Sequence, residues 1–329
     1  MHDGKPFYTS RRSFLAASCV CMGSTMFGSL FPMKAAYADD LPRTDAPGFH
    51  RLNVGSVKIT VISDGQGPLP AMQLLQGRKD LIEQALRSAS LGETVLNSHN
   101  AFVIDNGKKV ILVDTGGGSM IGPNFGKLPG NLSAAGYQPE QISEILLTHL
   151  HADHSGGLMK GNQRTFPNAI VRVNRVDADF WLSPANRDAA PAGAKRNFDA
   201  AMASLTPYRN AKKLALFDGE TELGNGILAR PAYGHTPGHT MYEVNSDGQQ
   251  MLLWGDIVHV AAVQFPHPDV TIGYDSEKDV ARVEHWRMFN ELAKSGQLVG
   301  GAHLPFPGIG HVRDAGGAGY RFDPVTVAV

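Results

Sequence analysis

The run Thr148-His149-Leu150-His151-Ala152-Asp153-His154 places four side chains of the metal-binding type within six residues. It follows Ile145-Leu146-Leu147, an apolar run that reads as a buried strand. In extended backbone, residues i and i+2 share a face, so His149 and His151 are placed to hold one ion together. The chain must then turn, which lets Asp153 and His154 face a second ion beside the first. Gly156 and Gly157 allow the backbone to leave a crowded place. Three imidazoles and a carboxylate at a strand end are the donor set of a hydrolytic two-metal site.

Further stretches supply the same residue types. Gly234-His235-Thr236-Pro237-Gly238-His239-Thr240 is a glycine-bounded loop in which Pro237-Gly238 builds the turn that presents His239. His239 is therefore the expected ligand, and His235 the structural partner outside the metal. Trp254-Gly255-Asp256 ends a strand with a carboxylate able to bridge two ions, and Gly301-Ala302-His303 ends another. Asp114 closes a further apolar run and is placed to orient a ligand histidine from behind. Strand ends of a sheet sandwich converge on one edge. There seven ligands can meet: His149, His151, Asp153, His154, His239, Asp256 and His303.

The elements that must position them are read from pattern. Residues 57–62 read as a strand ending at Ser63-Asp64-Gly65, after a polar lead-in over 39–50. Residues 101–104 and 109–113 form a strand pair turning at Asp105-Asn106-Gly107. Residues 131–135 are helical and stop at Gly136, with short helices over 177–182 and 197–205 and strands over 227–229 and 251–253. A helix begins at Ser276 with Asp279 as its capping partner. Its apolar face is Val280, Val283, Met288, Phe289 and Leu292, and Gly296 ends it. Strands precede helices in each half, which predicts two sheets packed face to face with helices outside, as one domain over 39–329.

The chain has 329 residues, 42% hydrophobic and 19% charged, enough apolar material for a sizeable core. A formal net charge of −1 with no Lys/Arg cluster argues against nucleic acid or anionic membrane as a partner. Residues 1–38 read as a targeting segment. Ser10-Arg11-Arg12-Ser13-Phe14-Leu15 is a twin-arginine signature, an apolar stretch follows, and Ala36-Tyr37-Ala38 supplies a signal-peptidase pattern. Polar residues and glycine interrupt the stretch, which suits it poorly to permanent anchoring. The expectation is export of a folded protein through the twin-arginine machinery to the periplasm or beyond. Cys19 and Cys21, the only cysteines, lie in this segment, so the mature chain must hold metal by His and carboxylate.

His149-x-His151-x-Asp153-His154 with His239, Asp256 and His303 resembles the metallo-β-lactamase superfamily. Longer strings, among them Ala178-Asp179-Phe180-Trp181-Leu182-Ser183 and Phe306-Pro307-Gly308-Ile309-Gly310-His311, are similar to the methyl parathion hydrolase family. The resemblance implies an α/β fold, an αββα sandwich of two mixed β-sheets flanked by helices. It also implies two divalent ions, one on His149, His151 and His239, the other on Asp153, His154 and His303, bridged by Asp256. Zinc is the expected metal, since imidazole and carboxylate both suit it. The family's leaving-group pocket has an aromatic cluster, which Trp181 and Phe198 match. Ile121 stands where the family carries a phenylalanine, which removes a stacking face worth ~1 kcal/mol.

Water bound at such a site ionises near pH ~7 instead of ~15.7 in bulk, so a bridging hydroxide is available to attack a polarised carbonyl or phosphoryl group. Asp153 and Asp256 are the catalytic carboxylates, holding the hydroxide and the ion pair. The expected activity is hydrolysis of small neutral esters: aryl phosphotriesters such as methyl parathion, lactones or aryl esters. The other reading is a non-catalytic metal-binding or sensing protein of the same fold, although binding alone needs only four closed ligands. A classical β-lactamase lacks the carboxylate present at Asp256. A nuclease needs a basic groove, and a di-iron protein favours a carboxylate at His151. Association into a homodimer is left open.

Overall fold

The computed structural model describes residues 48–317 and 319–325, which fall within one compact unit, Ala46–Val329. The targeting segment over 1–38 lies outside the described residues. Among those described, no helix is long and apolar enough to cross a membrane.

The first half of the chain builds one seven-stranded sheet. Its strands are β1 (Phe49–Val54), β2 (Val57–Leu69), β3 (Val95–Asp105), β4 (Val110–Val113), β5 (Ile142–Leu146), β6 (Ile170–Asn174) and β7 (Leu214–Phe217), which lie side by side in sequence order. β1 to β4 are antiparallel neighbours, and β4 to β7 are parallel. The second half repeats the plan with β8 (Thr221–Gly224), β9 (Ile227–Pro231), β10 (Thr240–Ser246), β11 (Gln249–Leu253), β12 (Leu298–Gly300), β13 (Ile309–Asp314) and β14 (Tyr320–Pro324). Here only β11 and β12 run parallel. Each parallel step needs a crossover, and helices fill those crossovers, while two further helices, Ala71–Leu74 and Lys79–Ser88, lie between the antiparallel β2 and β3.

Strand alternation makes the layers. Ile59, Val61, Phe102 and Ile104 of the first sheet join Tyr242, Val244, Met251 and Leu253 of the second in one buried cluster. Their strand neighbours Ile62, Ala101 and Val103 turn the other way. They pack with residues of three helices: α1 (Leu128–Ala134), α2 (Arg175–Trp181) and α3 (Lys195–Asn210). On the opposite outer face, Met241, Leu252 and Val299 meet Met288, Phe289 and Leu292 of α4 (Lys278–Ser295). The result is the expected αββα sandwich, with strands apolar on both faces because both faces are covered.

Four local expectations change. Phe49 and His50 belong to β1, not to a lead-in, and β2 continues through Ser63-Asp64-Gly65 to Leu69 across a register shift between Ser63 and Gly65. α4 starts at Lys278 without a side-chain cap, and Asp279 instead accepts from Arg282 at 2.9 Å. Its buried stripe is Ala281, His285, Met288, Phe289 and Leu292, leaving Val280 and Val283 exposed. Val280 and Val283 lie on the opposite side of the helix from that i, i+4, i+7 series.

Candidate metal centre

Every candidate ligand sits just past the C-terminal end of a strand. β5 delivers His149, β9 the loop containing His235 and His239, β11 Asp256 and β12 His303. His151 is still extended (φ −67°, ψ 156°), and one helical turn over Ala152–Ser155 then swings Asp153 and His154 round to the same side. The glycines that follow are required by close packing. A Cβ on Gly157 would stand 1.9 Å from the Thr115 carbonyl oxygen. Gly255 has φ +58°, and a Cβ there would lie 2.6 Å from His239 Nε2.

Two groups of donor atoms converge, each within 4.8 Å, and Asp256 belongs to both. In the first, His151 Nδ1 lies 3.1 Å from both His149 Nε2 and His235 Nε2. Asp256 Oδ2 is 3.2 Å from His235 Nε2 and 3.7 Å from His149 Nε2. In the second, His303 Nε2 is 3.3 Å from Asp153 Oδ2 and 3.1 Å from Asp256 Oδ2. His154 Nε2 is 3.0 Å from Asp256 Oδ1. Despite that approach, neither of those last two buried atoms has a hydrogen-bond partner among the described residues. Two inward donor atoms this close with no hydrogen bond between them fit a cation.

The outer nitrogens of these rings are occupied, which fixes their tautomers. His235 Nδ1 meets Asp275 Oδ1 at 2.8 Å, and His303 Nδ1 meets the Ser98 carbonyl at 3.0 Å. His154 Nδ1 meets Asp114 Oδ2 at 2.9 Å. That same oxygen accepts from Thr148 Oγ1 at 2.8 Å, and Thr148 Oγ1 in turn meets His149 Nδ1 at 3.0 Å. Asp114 therefore stands where its strand-end position predicts, at φ +58°, a conformation an aspartate tolerates better than most residues.

The two histidines of the 234–240 loop exchange places relative to expectation. His235 enters the ligand group. His239 turns away, its Nδ1 3.1 Å from the Ala232 carbonyl and its Nε2 accepting from the Asp256 N–H at 3.0 Å. Both nitrogens are spent on backbone, so His239 has no lone pair for an ion. The Pro237-Gly238 turn presents its histidine to the strand end that carries Asp256. His235→Ala is expected to lose metal, while His239→Ala keeps the wild-type metal content and costs stability; metal content by mass spectrometry beside a melting curve checks this. Metal loss on His239→Ala alone contradicts the assignment.

Pattern reading missed several contributors. His259 Nε2 lies 3.1 Å from Asp256 Oδ2, and its ring stacks on His303 at 4.8 Å. Its position three residues after Asp256 was the available signal. Asp177 is fully buried and accepts from the N–H groups of Leu150 at 2.8 Å and Gly238 at 3.0 Å, tying two ligand loops together. Burial raises its carboxyl to about 6 against those hydrogen bonds. His99, from β3, lies 3.8 Å from Asp153.

The expected pocket residues lie on one flank. Trp181 meets His151 edge-on at 5.2 Å, with Phe198 behind it at 4.7 Å. Both are buried in the helix-side core. Ile121 lies on the loop between β4 and α1 and covers Gly117. The same loop supplies an aromatic ring elsewhere: Phe125 packs on His99 at 4.5 Å.

Without ions, protons carry the positive charge that Asp153 and Asp256 demand. Burial opposes charge on His303 and His235, yet Asp256 and its fellow carboxylates prevail and hold them up at about 10 and about 9. His154 is raised by the same group of carboxylates. Burial, then the neighbouring His235, holds His151 down at about 3.

Residues 94–317 match the family described as the metallo-beta-lactamase superfamily. A solved structure titled as hydrolase AbOPH in the beta lactamase superfamily is 34% identical with a TM-score of 0.82, covering 86% of this chain and 99% of that one. AidC, titled a dizinc quorum-quenching lactonase, is 25% identical with a TM-score of 0.80 and the same coverage. An N-acyl homoserine lactonase of Bacillus sp is 24% identical over 153 residues, 46% of this chain and 53% of that one. The chain thus spans about half the length of the curated lactonases it matches. With its ligand-bearing strand ends inside the matched region and its sandwich superposing on these hydrolases, the chain belongs to the metallo-beta-lactamase superfamily.

Proposed function

We propose that this protein is an exported, binuclear metal-dependent hydrolase of small neutral esters, with lactones, aryl esters and aryl phosphotriesters as the substrate class. The observation that carries it is the pair of ligand groups sharing Asp256, with His149, His154, His235 and His303 aimed inward by partners on the far side of their rings. His149, His151 and His235 would hold one ion, Asp153, His154 and His303 the other, with Asp256 common to both. Bound there, two divalent ions, zinc for preference, supply Lewis acidity and bring the ionisation of water to about pH 7. Asp153, whose side chain is 24% exposed, is the carboxylate of the cluster that faces solvent, and it would orient the attacking water beside the ion it helps to hold. Trp181 closes the flank beside His151 against water.

The space at the second group is lined by His99, Asn100, Asp114, Gly116, Asp153, His154, Ala302 and His303, with no lysine or arginine among them. That space, about 10 Å³, has room for one water, so the preference for a neutral ester over an anionic phosphodiester rests instead on a chain of net charge −1 with no Lys/Arg cluster to clamp an anion. Of the two similar solved structures, the one described as a dizinc quorum-quenching lactonase supports the lactone part of this class. The twin-arginine pattern at Arg11-Arg12 supports export.

A panel of chromogenic phosphotriester, lactone, aryl ester and cephalosporin substrates, run on protein of measured metal content, tests the reading. Turnover of at least one of the first three is expected; two bound ions with no turnover of any would make this a binding protein. Ile121→Phe is expected to raise kcat/KM several-fold on an aryl phosphotriester, about 1 kcal/mol of stacking, and to leave an aliphatic lactone unchanged. An equal change on both means that Ile121 does not meet the leaving group.

A further inference from the structure

A buried carboxylate outside the metal cluster holds the loop that walls it. Asp64, in β2, is 1% exposed. Its Oδ2 accepts from the N–H groups of Gly117 at 2.9 Å and Gly126 at 3.1 Å, and its Oδ1 from Leu128 at 3.0 Å. Its own carbonyl accepts from Lys127 at 3.1 Å. These donors stand at the two ends of the loop between β4 and α1, so one side chain pins both ends together. The loop has little shape of its own: Gly116, Gly118, Gly122 and Gly126 all have positive φ. The fit is close as well, since a Cβ on Gly116 would stand 2.3 Å from Asp64 Cγ.

The pinned loop reaches the cluster. Phe125 packs on His99 at 4.5 Å, and His99 meets His303 edge-on at 4.7 Å. His99 Nδ1 is buried with no hydrogen-bond partner among the described residues. Among the described residues Asp64 makes no hydrogen bond to a ligand; its bonds go to the loop backbone. From this chain of contacts we infer that Asp64 is a positioning residue for substrate selectivity: by closing the 117–126 loop it sets the Phe125–His99 wall against which the planar group of an ester lies. The inference rests on the hydrolase reading above.

Asp64→Asn keeps the shape but turns an NH2 toward N–H donors, so at least one of the three bonds is lost. Hydrogen bonds to a charged group are strong enough that this is expected to lower kcat/KM for an aryl ester about tenfold relative to an aliphatic lactone, chiefly through KM. Metal content stays that of the wild type. Phe125→Ala is expected to shift the same ratio, and the double variant to go little further, because both act through one wall. An unaltered ratio, an equal fall on both substrates, loss of metal, or additive effects would each overturn the inference. If Asp64→Asn does not fold, Phe125→Ala decides: an unchanged ratio removes the wall and the inference with it. Wild-type protein inactive on both substrates overturns the hydrolase reading itself, whereas active protein with an unaltered ratio overturns only the role of Asp64.

Discussion

Removing divalent metal from the purified protein with a chelator is expected to abolish hydrolysis, and added zinc, cobalt or manganese to restore it. The effect should be complete, because the hydroxyl beside the ligands, Thr148 Oγ1, is already engaged by Asp114 and His149 and is not free to attack. Reloading should also release protons. At pH 7 the metal-free site carries them on His154, His235 and His303, which neighbouring carboxylates hold above their ordinary range, and ligand nitrogens must give them up. The sign follows directly: falling pH favours protons over metal, so affinity declines with acid. Calorimetry in buffers of different ionisation enthalpy reads the release. Full activity in protein shown to be metal-free would sink the mechanism.

Asp256→Ala is expected to cut turnover by at least about a hundredfold, since loss of even an outer partner of a ligand costs roughly 10- to 100-fold at metal sites. Asp256 is the one carboxylate in both donor groups, and it lies within 3.2 Å of His154, His235, His259 and His303. Its removal leaves the first group as three buried imidazoles facing one another with no carboxylate among the converging donors. Fewer than two ions should remain bound, while circular dichroism confirms the fold. Asp256→Asn keeps the volume and separates lost charge from lost packing. A variant that retains two ions and near-wild-type turnover would show that the bridge is dispensable.

His235 shows where reading along the chain reaches its limit. The turn chemistry of Pro237-Gly238 was legible, and so was the fact that a histidine is presented. Which of His235 and His239 faces the ions depends on Asp275, 40 residues away from His235, and on the backbone N–H of Asp256, 17 residues from His239. Neither partner leaves a mark in the local pattern. The stripe on α4 failed for a related reason. His285 counts as polar in a pattern, yet it is buried, donating toward the Pro268 carbonyl at 3.0 Å and stacked on Phe289. Only its tertiary neighbours make it a core residue.

What the sequence determined by itself is everything set by local periodicity and ligand chemistry. The i, i+2 spacing of His149 and His151 on strand-like backbone, the turn that follows, the strand ends carrying Asp114, Asp256 and His303, and the two-sheet architecture all come from residue types at short spacing. The tertiary structure decided what depends on partners distant in the chain: the exchange of His235 for His239, the approach of His259 and His99, the tie from Asp177 and the closure by Asp64. Each of these is a hydrogen bond or ring contact between loops from different strands. Its energy depends on where two strand ends are held relative to one another, and the packed sandwich sets that distance.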